Sequence, residues 1–218
     1  MPDQTARNIA RDHMVDSQVR ADHVHDTRII AAMRALPRED FAPPGGLVYA
    51  DADLPLGQGR YLLKPALAAR LAQLVLAGMP AHVLVVGAGS GYLAAVLAAA
   101  GVHVVALEEE RRLDTGALAR HAPQVEAAHG PLAAGWPASG PYDAIVIEGA
   151  VPEIPPQFAA QLTPGGRVIT ILAESGENGG LGRAATAAAV EGGFAVVMAF
   201  DCTSRPLPQF SRAPAFSF

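Results

Sequence analysis

The chain has 218 residues, half of them apolar and 17% charged, with a formal net charge of −5; this composition excludes a largely disordered chain and provides for one substantial core. Its 16 Lys and Arg residues are scattered without a basic run, so no electrostatic footprint for nucleic acid is present. One cysteine, Cys202, excludes an intramolecular disulfide, no apolar run reaches the roughly 18 residues needed to cross a bilayer, and the polar opening residues lack a signal-peptide centre, so a soluble cytoplasmic protein is expected.

Residues 8–36 place Ile9, Met14, Val15, Val19, Val24, Ile29, Ile30, Met33 and Leu36 at mixed helical spacing, broken near Asp26 and closed by Pro37; two helices are predicted ahead of the main fold. His23 and His25 adjoin Asp26, but without further Cys or His ligands they read as surface polar groups, and no metal site is expected. "PREDFAPPGGLVYADADLPLGQGRY", 37–61, is too rich in Pro, Gly and Asp for a continuous element. It is a long connection, and long ordered connections tend to carry function. A helix is predicted over 62–79, with Pro65 in its first turn and Gly78 near its end.

"HVLVVGAGSGYLAAVLA", 82–98, then reads as a buried strand, a glycine turn and a small-residue helix. Strand-like runs at 103–107, 125–129, 142–150, 167–172 and 194–200 follow, interleaved with helical runs at 111–122, 155–162 and 181–192. This alternation predicts an α/β fold with a doubly wound, mostly parallel sheet. The tail, interrupted by Pro206, Pro208 and Pro214, is expected to wrap as loop with a last short strand. The chain divides into 1–61, N-terminal helices and a long loop, and 62–218, the α/β domain.

In such a sheet the first strand-to-helix turn lies at the carboxyl edge, where ligands bind and glycines let the backbone approach them. Gly87, Gly89 and Gly91 are spaced G-x-G-x-G, and Tyr92 stands where a dinucleotide fingerprint has its third glycine, which disfavours NAD or FAD. Glu108 ends the next predicted strand, where a carboxylate can accept hydrogen bonds from both ribose hydroxyls. An adenosine cofactor contacted by Gly87, Ala88, Gly89, Ser90, Gly91 and Glu108 is expected. Glu109 and Glu110 read as helix-start acids with no site role. There is no G-x-S-x-G elbow and no P-loop lysine, so hydrolase and kinase chemistry have no support.

The glycine turn and the acid after the second strand resemble the Rossmann-like class I methyltransferases that use S-adenosylmethionine. Over residues 14–172 the chain resembles the protein-L-isoaspartate O-methyltransferase family, through "MVDSQVR", "DTRIIAAMRALPREDFAP", "YADADLPLGQG", "VLVVGAGSGYLAAVLA" and "GPYDAIVIEGAVPEIPPQFAAQLTPGGRVI" in the family's order. The resemblance implies that fold with an N-terminal helical extension, S-adenosylmethionine as cofactor, and methylation of isoaspartyl carboxylates on damaged proteins or peptides. It also implies that Gly130 adjoins the adenine and that the 57–63 loop covers the acceptor. A carboxylate acceptor needs no general base, so the protein supplies alignment and dehydration.

Several positions depart from the family pattern. Val85 and Pro131 replace acids that the family places near the cofactor's amino acid end and its adenine. Tyr61, Leu62 and Leu63 stand in place of a Thr-Ile-Ser run, so Leu63 removes a hydroxyl and Arg60 or Lys64 becomes the alternative donor for a carboxylate. Glu148, at the end of "YDAIVIEGA", faces the expected catalytic mouth, where it can meet the cofactor's cationic end or a cationic acceptor. Arg60, Leu63 and Glu148 are the acceptor-side candidates, and Trp136 reads as a loop-packing residue. Three functions stay open on these residues: isoaspartyl repair, a methyltransferase of this fold with another acceptor, and a non-catalytic relative that binds cofactor or a partner.

Overall fold

A computed structural model describes residues 4–109, 116–173 and 181–210. Two helices open the fold, α1 (Gln4–Met14) and α2 (Thr27–Ala35), with a π-helical turn at Val15–Val19 between them. Asp26 accepts the Arg28 backbone N–H at 2.9 Å and caps α2. Its carboxylate also takes the Arg28 guanidinium at 2.6 Å. The acid beside His23 and His25 therefore serves a helix start, and among the described residues no three His, Cys, Asp or Glu side chains gather as metal ligands.

The proline- and glycine-rich connection holds more regular structure than its composition implies. Arg38–Phe41 is a 3-10 turn, and β1 (Leu54–Gly57) pairs antiparallel with β2 (Arg60–Leu62). Gln58 and Gly59 close this hairpin with φ of 52° and 72°, the positive values that a two-residue turn demands. Helix α3 (Pro65–Leu76) follows directly, with proline in its first turn.

The main sheet comprises β3 (His82–Val86), β4 (His103–Glu108), β5 (Glu126–His129), β6 (Tyr142–Val151), β7 (Leu162–Ala173), β8 (Leu181–Val190) and β9 (Gly193–Thr203), in the order β5-β4-β3-β6-β7-β8-β9. The first five strands of that order run parallel; β8 and β9 are antiparallel additions. Helix α4 (Tyr92–Ala99) links β3 to β4, and α5 (Gly116–His121) precedes β5. Alternation along β3 sends Val83 and Val85 into one core, shared with Met14, Ile29, Leu67 and Leu93 of the helices. Leu84 and Val86 point into a second core closed by Phe158, Leu207 and Phe210. Short 3-10 turns at Leu132–Ala134, Pro137–Ser139 and Pro156–Gln161 lie between the later strands; the run at 155–162 is thus a tight turn after two prolines rather than an α-helix.

The segment 181–192, expected to be helical, is instead strand β8 and the turn into β9. Its alanines favour a helix locally, but β8 pairs with β7 from Gly182 to Ala188 and with β9 along its whole length, and Gly192 at φ 82° allows the reversal. Gly182 permits the close approach to β7: a Cβ there would meet Ile171 Cγ2 at 2.9 Å. In the tail, Pro206 bridges to Ala150 and Pro208–Phe210 forms a 3-10 turn. Residues 111–115 of the expected helix and the tail from 211 lie outside the described residues. No helix among the described residues is long and apolar enough to cross a membrane.

Candidate cofactor and acceptor site

Strand β3 has β4 on one side and β6 on the other, so the chain reverses its winding at the carboxyl ends of β3 and β6, where open α/β sheets bind ligands. The glycine turn leaves β3 at this point. The backbone N–H groups of Gly87 and Ala88 both donate to the Leu107 carbonyl, at 2.9 and 3.1 Å, which fastens the turn to β4. Gly91, at φ 87°, starts α4 with its backbone in a left-handed conformation, and a Cβ there would press on Leu118 at 3.0 Å. Within the turn Ser90 is buried and its Oγ has no hydrogen-bond partner in the protein, an unsatisfied hydroxyl.

Glu108 ends β4 beside this turn. Its Oε2 accepts the Gly89 N–H at 2.9 Å and an Arg60 Nη2 hydrogen at 2.7 Å, while Oε1 accepts the Glu109 N–H at 2.8 Å. Glu108 stands at the strand end, but its oxygens are engaged by the protein itself. Arg60 reaches it from β2: the hairpin lies over the glycine turn, with Leu56 Cδ1 3.1 Å from where a Cβ of Gly89 would stand.

The sheet brings Glu148 to the same mouth. A bulge between Val146 and Ala150 interrupts the β6–β7 register there. Glu148 is buried, its Oε2 lacks a hydrogen-bond partner, and burial pushes its carboxyl well above the ordinary 4.5; nearby Arg60 and Arg38 oppose that shift and Glu108 adds to it. Leu63 lies elsewhere. It is buried in the helical-face core, and its carbonyl accepts the Arg38 Nη2 at 2.7 Å. Its side chain fills the core, not the mouth. Lys64 gives its backbone N–H to Asp53 at 2.8 Å at the start of α3.

Val85 is fully buried in the core. Gly130 donates its N–H to the Glu108 carbonyl at 3.2 Å, and Trp136 packs on it: a Cβ at 130 would meet the indole at 3.2 Å. Pro131 follows as the residue that opens a 3-10 turn. Trp136 is a loop-packing residue, its backbone N–H held by Gln161 Oε1 at 2.8 Å.

Sequence reasoning missed Arg38. It is fully buried, donates to the Val48 and Leu63 carbonyls at 3.0 and 2.7 Å, and lies over the Tyr92 ring at 4.9 Å. It ties the 37–61 connection to the residue that follows the strand carrying Arg60. No local pattern marks it, because its partners are carbonyls 10 and 25 positions away.

A glycine cradle and a carboxylate at the switch point of a five-strand parallel run, extended by antiparallel strands, make this a Rossmann-like class I methyltransferase fold. The family model for protein-L-isoaspartate(D-aspartate) O-methyltransferase matches residues 9–185. A protein-L-isoaspartate O-methyltransferase of Methylorubrum extorquens is 41% identical over 165 residues, 73% of this chain and 72% of that one. One from Methanoculleus marisnigri is 37% identical over 167 residues, 73% of this chain and 75% of its own. Among solved structures, a Plasmodium falciparum crystal structure in complex with S-adenosyl-L-homocysteine aligns at a TM-score of 0.76 with 17% identity, covering 91% of this chain and 98% of that one. The chain belongs to the protein-L-isoaspartate (D-aspartate) O-methyltransferase family.

Proposed function

We propose that the protein is an S-adenosylmethionine-dependent O-methyltransferase that methylates isoaspartyl carboxylates on damaged proteins and peptides, acting in the cytoplasm. The observation that carries this is the Glu108 carboxylate held 2.9 Å from the Gly89 N–H at the rim of β3 and β4, within a chain that matches the family over residues 9–185. The donor set fits an adenosyl group in kind: a turn without side chains, an unpartnered Ser90 Oγ and a carboxylate at the second strand's end. The fit requires Arg60 to leave Glu108.

When bound, S-adenosylmethionine supplies a methyl group activated on a sulfonium sulfur. Gly87, Ala88, Gly89, Ser90 and Gly91 hold it through backbone and hydroxyl, Glu108 accepts the ribose hydroxyls, and Gly130 borders the adenine. On the acceptor side Arg60 orients the carboxylate by charge-assisted hydrogen bonds. Glu148, whose carboxyl burial shifts toward its neutral form, borders the same group. The 1–61 segment acts as the covering unit over the 62–218 domain. The acceptor is its own nucleophile, so these residues align it and exclude water rather than remove a proton.

Transfer of labelled methyl from S-adenosylmethionine to an isoaspartyl peptide, with the aspartyl peptide as control, tests this. Label on the isoaspartyl peptide alone is expected. Tight S-adenosylhomocysteine binding with no label on that peptide would overturn the acceptor, and no binding at all would overturn the enzyme.

A further inference from the structure

The Arg60–Glu108 pair is almost sealed from solvent, with side chains 2% and 10% exposed and a 2.7 Å contact. The guanidinium lies against the glycine turn: a Cβ on Gly87 would come within 2.6 Å of Nη2 and 3.2 Å of Nη1. The atoms just assigned to the adenosyl group are therefore covered by the protein's own cation. Yet Arg60 is held there by one group. Its Nε and Nη1 are buried without a hydrogen-bond partner, and so is Glu148 Oε2 nearby. Arg38 shows the contrast, with two of its three nitrogens donating to carbonyls of separate segments. A buried guanidinium with most of its donors unused is poised to accept a further anion.

We propose that Arg60 is an internal placeholder on the ribose-binding carboxylate: it holds Glu108 until an adenosyl ribose takes its place, and the released guanidinium then receives the acceptor's carboxylate. The proposal rests on the methyltransferase function above. Its physical basis is that a charge stripped of its partner inside a protein is strongly unfavourable, so ribose binding that expels Arg60 is weak unless another anion meets it. The acceptor carboxylate is that anion. Cofactor and acceptor must then tighten each other by the same factor.

Calorimetric titration of S-adenosylhomocysteine into the wild type, Arg60→Gln and Arg60→Met, each with and without saturating isoaspartyl peptide, tests this without turnover. Both variants are expected to bind S-adenosylhomocysteine at least tenfold tighter than the wild type when no peptide is present. The peptide is expected to tighten binding several-fold in the wild type and to leave the variants unchanged. Equal or weaker binding in the variants, or no coupling in the wild type, overturns the proposal. If neither variant gives a folded circular dichroism spectrum, the wild-type coupling alone decides. Binding to none of the three proteins overturns the methyltransferase function itself, whereas binding with unchanged affinity overturns only the role of Arg60.

Discussion

Glu108 holds Arg60 and is proposed to hold the ribose, two tasks that a single substitution would confuse. The clean comparison is made with Arg60 already neutral. Relative to R60M, the double variant R60M/E108A should bind S-adenosylhomocysteine about tenfold more weakly, the ~1.5 kcal/mol lost with hydrogen bonds to a charged group; an unchanged dissociation constant would move the ribose elsewhere. Glu148 makes a separate prediction through pH. Its folded-state pKa is raised by burial, so its protonated form favours the fold fully below the ordinary carboxyl value of 4.5. That contribution is lost as pH rises toward the folded value. Urea unfolding of the wild type should therefore show stability falling from about pH 4.5 upward, and E148Q should remove that part of the slope. A slope identical in the two proteins would place a well-solvated carboxylate at 148.

At the scale of elements, the covering hairpin depends on buried polar fastenings more than on its own few residues. Arg38→Ala leaves the Val48 and Leu63 carbonyls without their donor, and a loss of about 2–6 kcal/mol is expected at ~1–3 kcal/mol per stranded group, together with faster proteolysis between Pro43 and Arg60. Stability within 0.5 kcal/mol of wild type, a typical surface effect, would show that the hairpin holds itself. Such fastenings explain what the sequence made legible and what it hid. The β3–turn–α4 unit was readable because its signal is local: an apolar run, three glycines, then small residues. β8 was not, because twelve alanine-rich residues carry a helical preference that only pairing with β7 and β9 overrules. The candidate site divided in the same way. Glu108 could be placed by strand end and spacing, while the engagement of Glu108 by Arg60 spans 48 positions and follows from how the hairpin folds over the turn.

The whole molecule is covered unevenly. Helices pack one face near β3, but β9 ends the sheet as a long strand whose Val196, Val197 and Met198 are 40%, 69% and 43% exposed. An apolar edge whose one charge, Asp201, lies near its end invites pairing with another chain. Val197→Lys should leave the unfolding free energy within about 0.5 kcal/mol and reduce concentration-dependent light scattering. Scattering that does not change would exonerate this edge.

The short hairpin also bears on kinetics. Arg60 begins β2, its backbone paired with Gly57, and the chain just beyond it is anchored by the Lys64 N–H on Asp53 and the Leu63 carbonyl on Arg38. The strand is fastened on both sides, so under the proposed exchange Glu108 is uncovered by rotation of the Arg60 side chain and not by a microsecond-to-millisecond opening of the hairpin. Stopped-flow association of S-adenosylhomocysteine should accordingly follow a single exponential whose rate climbs in proportion to ligand, with no plateau from a slow gate.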